Sequence, residues 1–190
     1  MAIAMYATGV FGIVSFIMIE KKMGSAALIP LYLFKEPTFA RTQILGFIIG
    51  VGMFGGMIVL PLIIQVVYGA SPTEAGFLML PMVAGMMTAT ISSGRITSKT
   101  GKYRIFFNTG TAVWFLGYLF MLLMMDASTP IWVISIGMVM IGLGLGQLMQ
   151  TTMVASQNSV AARDIGVATS SATFFRQMGG TVGVAVFMSI

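Results

Sequence analysis

Gly94-Arg95-Ile96-Thr97-Ser98-Lys99-Thr100-Gly101-Lys102-Tyr103-Arg104 is the stretch that decides the fold. It holds four of the chain's ten bases and no acid, and an apolar run of membrane-spanning length lies on either side. Lys and Arg left beside membrane spans mark the cytoplasmic side. The stretch therefore reads as a cytoplasmic loop, and the topology can be counted outward from it.

Composition agrees. At 57% hydrophobic and 8% charged residues, with a mean hydropathy of +0.98, 190 residues lack the polar side chains that a soluble domain needs for its surface. The isoelectric point near 9.8 does not imply nucleic acid, because the bases gather between apolar runs and no DNA-binding motif accompanies them. With no Cys and no His, disulfides, thiolate chemistry, most zinc sites and the usual proton shuttle are excluded, and neither metal nor cofactor is expected.

Residues 1–19 form an apolar run closed by Glu20-Lys21-Lys22, without a basic leader or a small-residue cleavage site, so they read as a retained span. Residues 23–34 are too few to span and carry Pro30, which suits an interfacial connector ending at Lys35, Glu36 and Arg41. Further spans are expected at about Thr42–Val67, Ala75–Ser93, residues 105–125, Ile131–Gln150 and from Ile165 to the end. Pro81 and Gly85 predict a kink in the third span, and Thr151–Asp164 reads as a polar connector. Gly50-Val51-Gly52-Met53-Phe54-Gly55 spells a dinucleotide fingerprint but lies inside an apolar span, so it is rejected.

The expectation is an all-α, polytopic transmembrane bundle of six spans with both ends outside. Loops 20–41, 94–104 and 151–165 are cytoplasmic, since each holds a Lys or Arg and the outer turns at 68–74 and 126–130 hold none. Small residues at i, i+4 mark close helix approach at Gly46 and Gly50, Gly142 and Gly146, and Gly179 and Gly183.

The loop resembles the signature Gly-x-Leu-Ala-Asp-Arg-x-Gly-Arg/Lys-Arg/Lys of the major facilitator superfamily of secondary transporters. Gly94, Ile96, Lys99, Gly101 and Lys102 match it. Ser98 stands where that family has an acid that latches neighbouring helices, and Tyr103 stands where a second base is usual, with Arg104 next to it. Pro30-Leu31-Tyr32-Leu33-Phe34, the run Gly142–Gly146, Gly166-Val167-Ala168 and Arg176–Ala185 are similar in order and spacing to the fourteen-helix drug:proton antiporter group.

That resemblance implies helices eight to thirteen of fourteen. Residues 1–19 would be a linker transmembrane helix, 20–41 a cytoplasmic connector, and 42–190 five helices of an incomplete C-terminal half. It implies a plasma-membrane carrier exporting small amphipathic molecules against protons, by rocking of two halves about a midplane site. The first half and the lipid bilayer would be its partners. Residues 1–190 alone are expected to give no efflux above a vector control. The rival readings are a non-transporting membrane fragment or the partner subunit of a split carrier; an enzyme or channel lacks its catalytic set or its ring of pore charges.

Arg176 is the one charge inside a span, about 15 Å along the last helix. Thr169, Ala172, Thr173, Gly180 and Gly183 share its stripe, so it is read as facing protein. It is either a cavity residue that biases substrate or gate, or a structurally paired or snorkelling Arg. Gln147, Gln150 and Gln65 are further candidates for cavity polarity, or else ties between helices. All five acids, Glu20, Glu36, Glu74, Asp126 and Asp164, fall outside the expected spans, so a coupling carboxylate would have to come from another part of the carrier.

Overall fold

The computed structural model describes residues 31–126 and 129–189, together with Phe11, Ser15 and Met18. The span expected at 1–19, apart from those three residues, and half of the 20–41 connector therefore lie outside the described residues. A 3-10 helix, Leu31–Lys35, leads into α1 (Pro37–Tyr68), α2 (Pro72–Leu78), α3 (Leu80–Thr100), α4 (Tyr103–Met124) and α5 (Ile131–Asn158). A second 3-10 turn, Ala162–Asp164, precedes α6 (Ile165–Phe187), and no strand occurs among the described residues.

Four stretches, 37–68, 72–100, 103–124 and 131–158, are long and apolar enough to cross a membrane. The expected all-α membrane bundle is present, and these are four of its six expected spans. The first lies outside the described residues, and α6, although 23 residues long, is too polar to count by composition.

Several boundaries also move. Pro37 sits in the first turn of α1, where its missing N–H costs nothing, so the helix starts before Thr42 and takes in Arg41. Ser71 and Glu74 form a reciprocal capping box that starts α2, with Ser71 N–H donating to Glu74 Oε2 at 2.8 Å. The chain breaks at Met79, two residues before Pro81, whose ring would crowd the carbonyl four residues back. The kink expected there is this break.

More consequential is the far end of α3, which continues through Gly94 to Thr100, so most of the expected loop is helix. Its hydroxyls allow this by bonding back onto the helix, Ser98 Oγ to the Gly94 carbonyl at 2.9 Å and Thr100 Oγ1 to that of Ile96 at 2.7 Å. Gly101, at φ 68°, ends it in the left-handed region, and its N–H bonds the Thr97 carbonyl. Likewise α5 runs on through Asn158, which leaves a connector much shorter than Thr151–Asp164. Thr151, Thr152 and Ser156 are buried there, and Gln43 Nε2 of α1 donates to Ser156 Oγ at 3.1 Å.

Helix α5 is the hub. It packs against α3 on one side and α4 on the other, with α1 beyond, and α6 lies along α1. Glycine sets these distances. A Cβ on Gly142 or Gly146 would overlap the backbone of α3 at Met82 and Met86, and one on Gly144 would meet α4 at Trp114. In the α1–α6 seam, Gly50 lies under the Arg176 carbonyl, Gly179 against Phe47 and Gly183 against Val51, with Gly46 facing the Ala172 carbonyl. Backbones this close gain dispersion contacts that lipid cannot supply.

The interior is apolar, built on Ile64, Met82, Met138, Ile141 and Leu145. The outside is apolar too. Leu122 is 78% exposed, Val66 76% and Phe115 65%, a girdle that hydrocarbon solvates and water does not.

Candidate functional site

The signature residues lie where α3 hands over to α4. Lys99, Gly101, Lys102 and Arg104 are exposed, as are Ile96 and Ser98, and Gly94 is half-buried against Gln150 of α5. Ser98 donates its hydroxyl to its own helix, and no hydrogen bond joins it to another helix among the described residues. Replacing Gly101 by Ala is expected to cost about 1 kcal/mol through the left-handed backbone alone, since no atom would meet the new Cβ. Thermal unfolding in detergent measures this, with Gly76→Ala as a comparison at ordinary helical φ and in open space.

The amide candidates are distributed. Gln147 Oε1 accepts from Thr109 Oγ1 at 2.7 Å, a tie between α4 and α5. Gln150 packs on Gly94, joining α5 to α3, while Gln65 Nε2 donates to the Pro61 carbonyl of its own helix at 3.2 Å. Arg176 is half-buried on α6 and pairs with no carboxylate among the described residues.

Two grooves follow the seam between α1 and α4. The larger, about 990 Å³, is apolar and lined by Gly52, Gly56, Val59, Ile63, Tyr118 and Leu122 among others, with Asp126 at its end. Tyr118 Oη crosses the seam to the Gly52 carbonyl at 3.0 Å. The smaller, about 540 Å³, lies at the basic end, between the start of α1, the start of α4 and the last turns of α5. None of Arg176, Gln147, Gln150 and Gln65 lines either groove.

What the residue-by-residue reading missed is a polar stripe on α6. Ser170, Thr173, Gln177 and Thr181 recur at i, i+3, i+7 and i+11, which puts them on one face of the helix. Ser170, Gln177 and Thr181 are exposed, and Thr173 is half-buried. The three hydroxyls bond back to carbonyls of α6 itself, whereas the Gln177 amide has no partner among the described residues. The signal that marks it is the spacing of these four polar residues in the sequence.

The sequence profile of the Major Facilitator Superfamily matches residues 2–184. The chain belongs to the major facilitator superfamily.

Among relatives of this superfamily member, the Multidrug transporter protein MdtP of Bacillus subtilis (strain 168) is 36% identical over 189 residues, covering 99% of this chain and 34% of that protein. The Tetracycline resistance determinant of Streptomyces rimosus is 34% identical over 190 residues, all of this chain and 54% of that protein. Multidrug resistance protein 3 of Bacillus subtilis (strain 168) is 29% identical over 177 residues, 93% and 34% respectively. The superfamily chain thus spans between a third and about half of the length of these curated relatives.

Proposed function

We propose that this chain forms one wall of a proton-coupled exporter of amphipathic small molecules, working by alternating access in the plasma membrane. The observation that carries the reading is the α6 stripe: Ser170, Gln177 and Thr181 are exposed on a helix packed along α1, whose own outward face is Ile44, Ile48, Leu62 and Val66. An uncompensated amide facing hydrocarbon costs several kcal/mol, whereas one facing a wet cavity costs nothing. The names of the relatives, two multidrug and one tetracycline-resistance protein, support the substrate class.

In this reading the basic ends of the helices, near 20–41, 94–104 and 151–165, face the cytoplasm. The first half of the carrier stands across from α6, with Arg176 and Gln177 between the halves. Protons are handled elsewhere in the carrier. Glu36 stands at the start of α1, Glu74 is committed to the α2 capping box, and Asp126 and Asp164 lie beyond α-helix ends, while Glu20 closes the first apolar run.

The absence of native thiols makes a direct test possible. Gln177→Cys and Val182→Cys place single cysteines at two exposed positions on different faces of α6. A thiol in water ionises and reacts with a water-soluble maleimide, and one in lipid does not. The expected result is a rate about ten times or more faster at 177 than at 182 in membranes. Equal rates would remove the aqueous wall, and with it the transport reading.

A further inference from the structure

Four features converge on the smaller groove. Arg41 from α1 and Arg104 from α4 line it from opposite sides, with no carboxylate among its lining residues. The N-termini of both helices open there, and neither makes a side-chain cap hydrogen bond, although Glu36 is the N-cap residue of α1, so the positive ends of two long helices lie at the groove. Asn108 adds an exposed amide to the wall. Thr151, only 2% exposed, also lines the groove, and its hydroxyl has no hydrogen-bond partner.

Each feature alone has a bland reading. Together they describe a groove with two guanidinium groups, two helix N-termini and no carboxylate in its lining, which is what a phosphate oxyanion requires. The wall then turns apolar at Leu45 and Phe107. A free phosphate has no use for that surface, whereas the glycerol backbone and first methylenes of a lipid do.

We propose that this groove holds the phosphodiester headgroup of an anionic phospholipid, with Arg41 and Arg104 on the phosphate and the acyl chains leaving over Leu45 and Phe107. The lipid would come from the cytoplasmic leaflet, which rests on the sidedness proposed above. By filling the space between α1, α4 and α5 it would pin the basic end of the bundle.

Native mass spectrometry of the 190-residue chain in detergent tests this. Phosphatidylglycerol and phosphatidylcholine are offered at equal concentration, and inorganic phosphate separately. The expected result is one retained phosphatidylglycerol in preference to phosphatidylcholine, a preference that falls roughly 10- to 30-fold in Arg41→Gln/Arg104→Gln. Arg95→Gln/Lys99→Gln removes the same charge at the same end of the bundle but outside the groove, and should change the preference by less than about twofold. Arg41→Gln alone, at an exposed position, gives an intermediate loss and guards against misfolding of the double variant. Three results would overturn the proposal: equal retention of the two lipids, an equal loss in both double variants, or phosphate binding without lipid preference. All three readouts are independent of transport and of the reactivity of position 177.

Discussion

Gly50→Val is expected to destabilise the bundle by about 1–3 kcal/mol, the cost of forcing atoms into a packed seam. A Cβ at Gly50 would overlap the Arg176 carbonyl and approach Gly180 N at 3.0 Å, so the obstruction is backbone and cannot rotate away. Helices α1 and α6 must then separate along their whole contact, losing the Gly179–Phe47 and Gly183–Val51 approaches as well. Gly142→Val should cost a similar amount between α5 and α3, since its obstruction is the Met82 carbonyl and Met86 N. Gly166→Ala supplies the contrast: no atom lies near its Cβ, and alanine favours helix, so the variant should be neutral or up to about 1 kcal/mol more stable. Thermal unfolding in one detergent ranks the three. An unperturbed Gly50→Val would mean that the seam is not closed as described.

Neutralising Arg95, Lys99, Lys102 and Arg104 together is expected to disturb insertion more than any single substitution. Each base near an anionic leaflet contributes about 1 kcal/mol, so the four together bias the α3–α4 hairpin by roughly 4 kcal/mol if additive. Without them the turn has no preferred side, although Lys35, Arg41 and Arg163 still hold the neighbouring segments. A single cysteine at position 98 should change from protected to partly reactive toward an impermeant maleimide in intact cells. Unchanged protection would show that orientation is set elsewhere in the chain.

Much of the architecture was legible because hydrocarbon imposes simple rules. Apolar runs of about 20 residues gave the positions of α1, α3, α4 and α5. Helix ends were not legible from hydropathy. Thr151, Thr152 and Ser156 read as connector because they are polar, yet α5 buries them, and Gln43 from more than 100 residues away holds Ser156. The last turns of α3 were hidden in the same way, since Ser98 and Thr100 satisfy their hydroxyls on their own helix and so do not end it.

The candidate site divides along the same line. Spacing alone indicates that Gly46 and Gly50, or Gly142 and Gly146, share a face, but not which helix meets them. Gln147 and Gln150 are as consistent with a cavity as with a tie until Thr109 and Gly94 are seen beside them. The three walls of the basic groove come from residues 38–45, 103–108 and 151–155, and only the folded bundle brings these together.

Sidedness is the claim on which the membrane topology stands, and one labelling experiment reaches it. Lys99→Cys and Thr73→Cys each give a single exposed thiol at opposite ends of the 72–100 stretch, in a chain with no native cysteine. With an impermeant maleimide on intact cells, position 73 should label and position 99 should label only after the membrane is opened. Labelling of position 99 from outside would contradict the account.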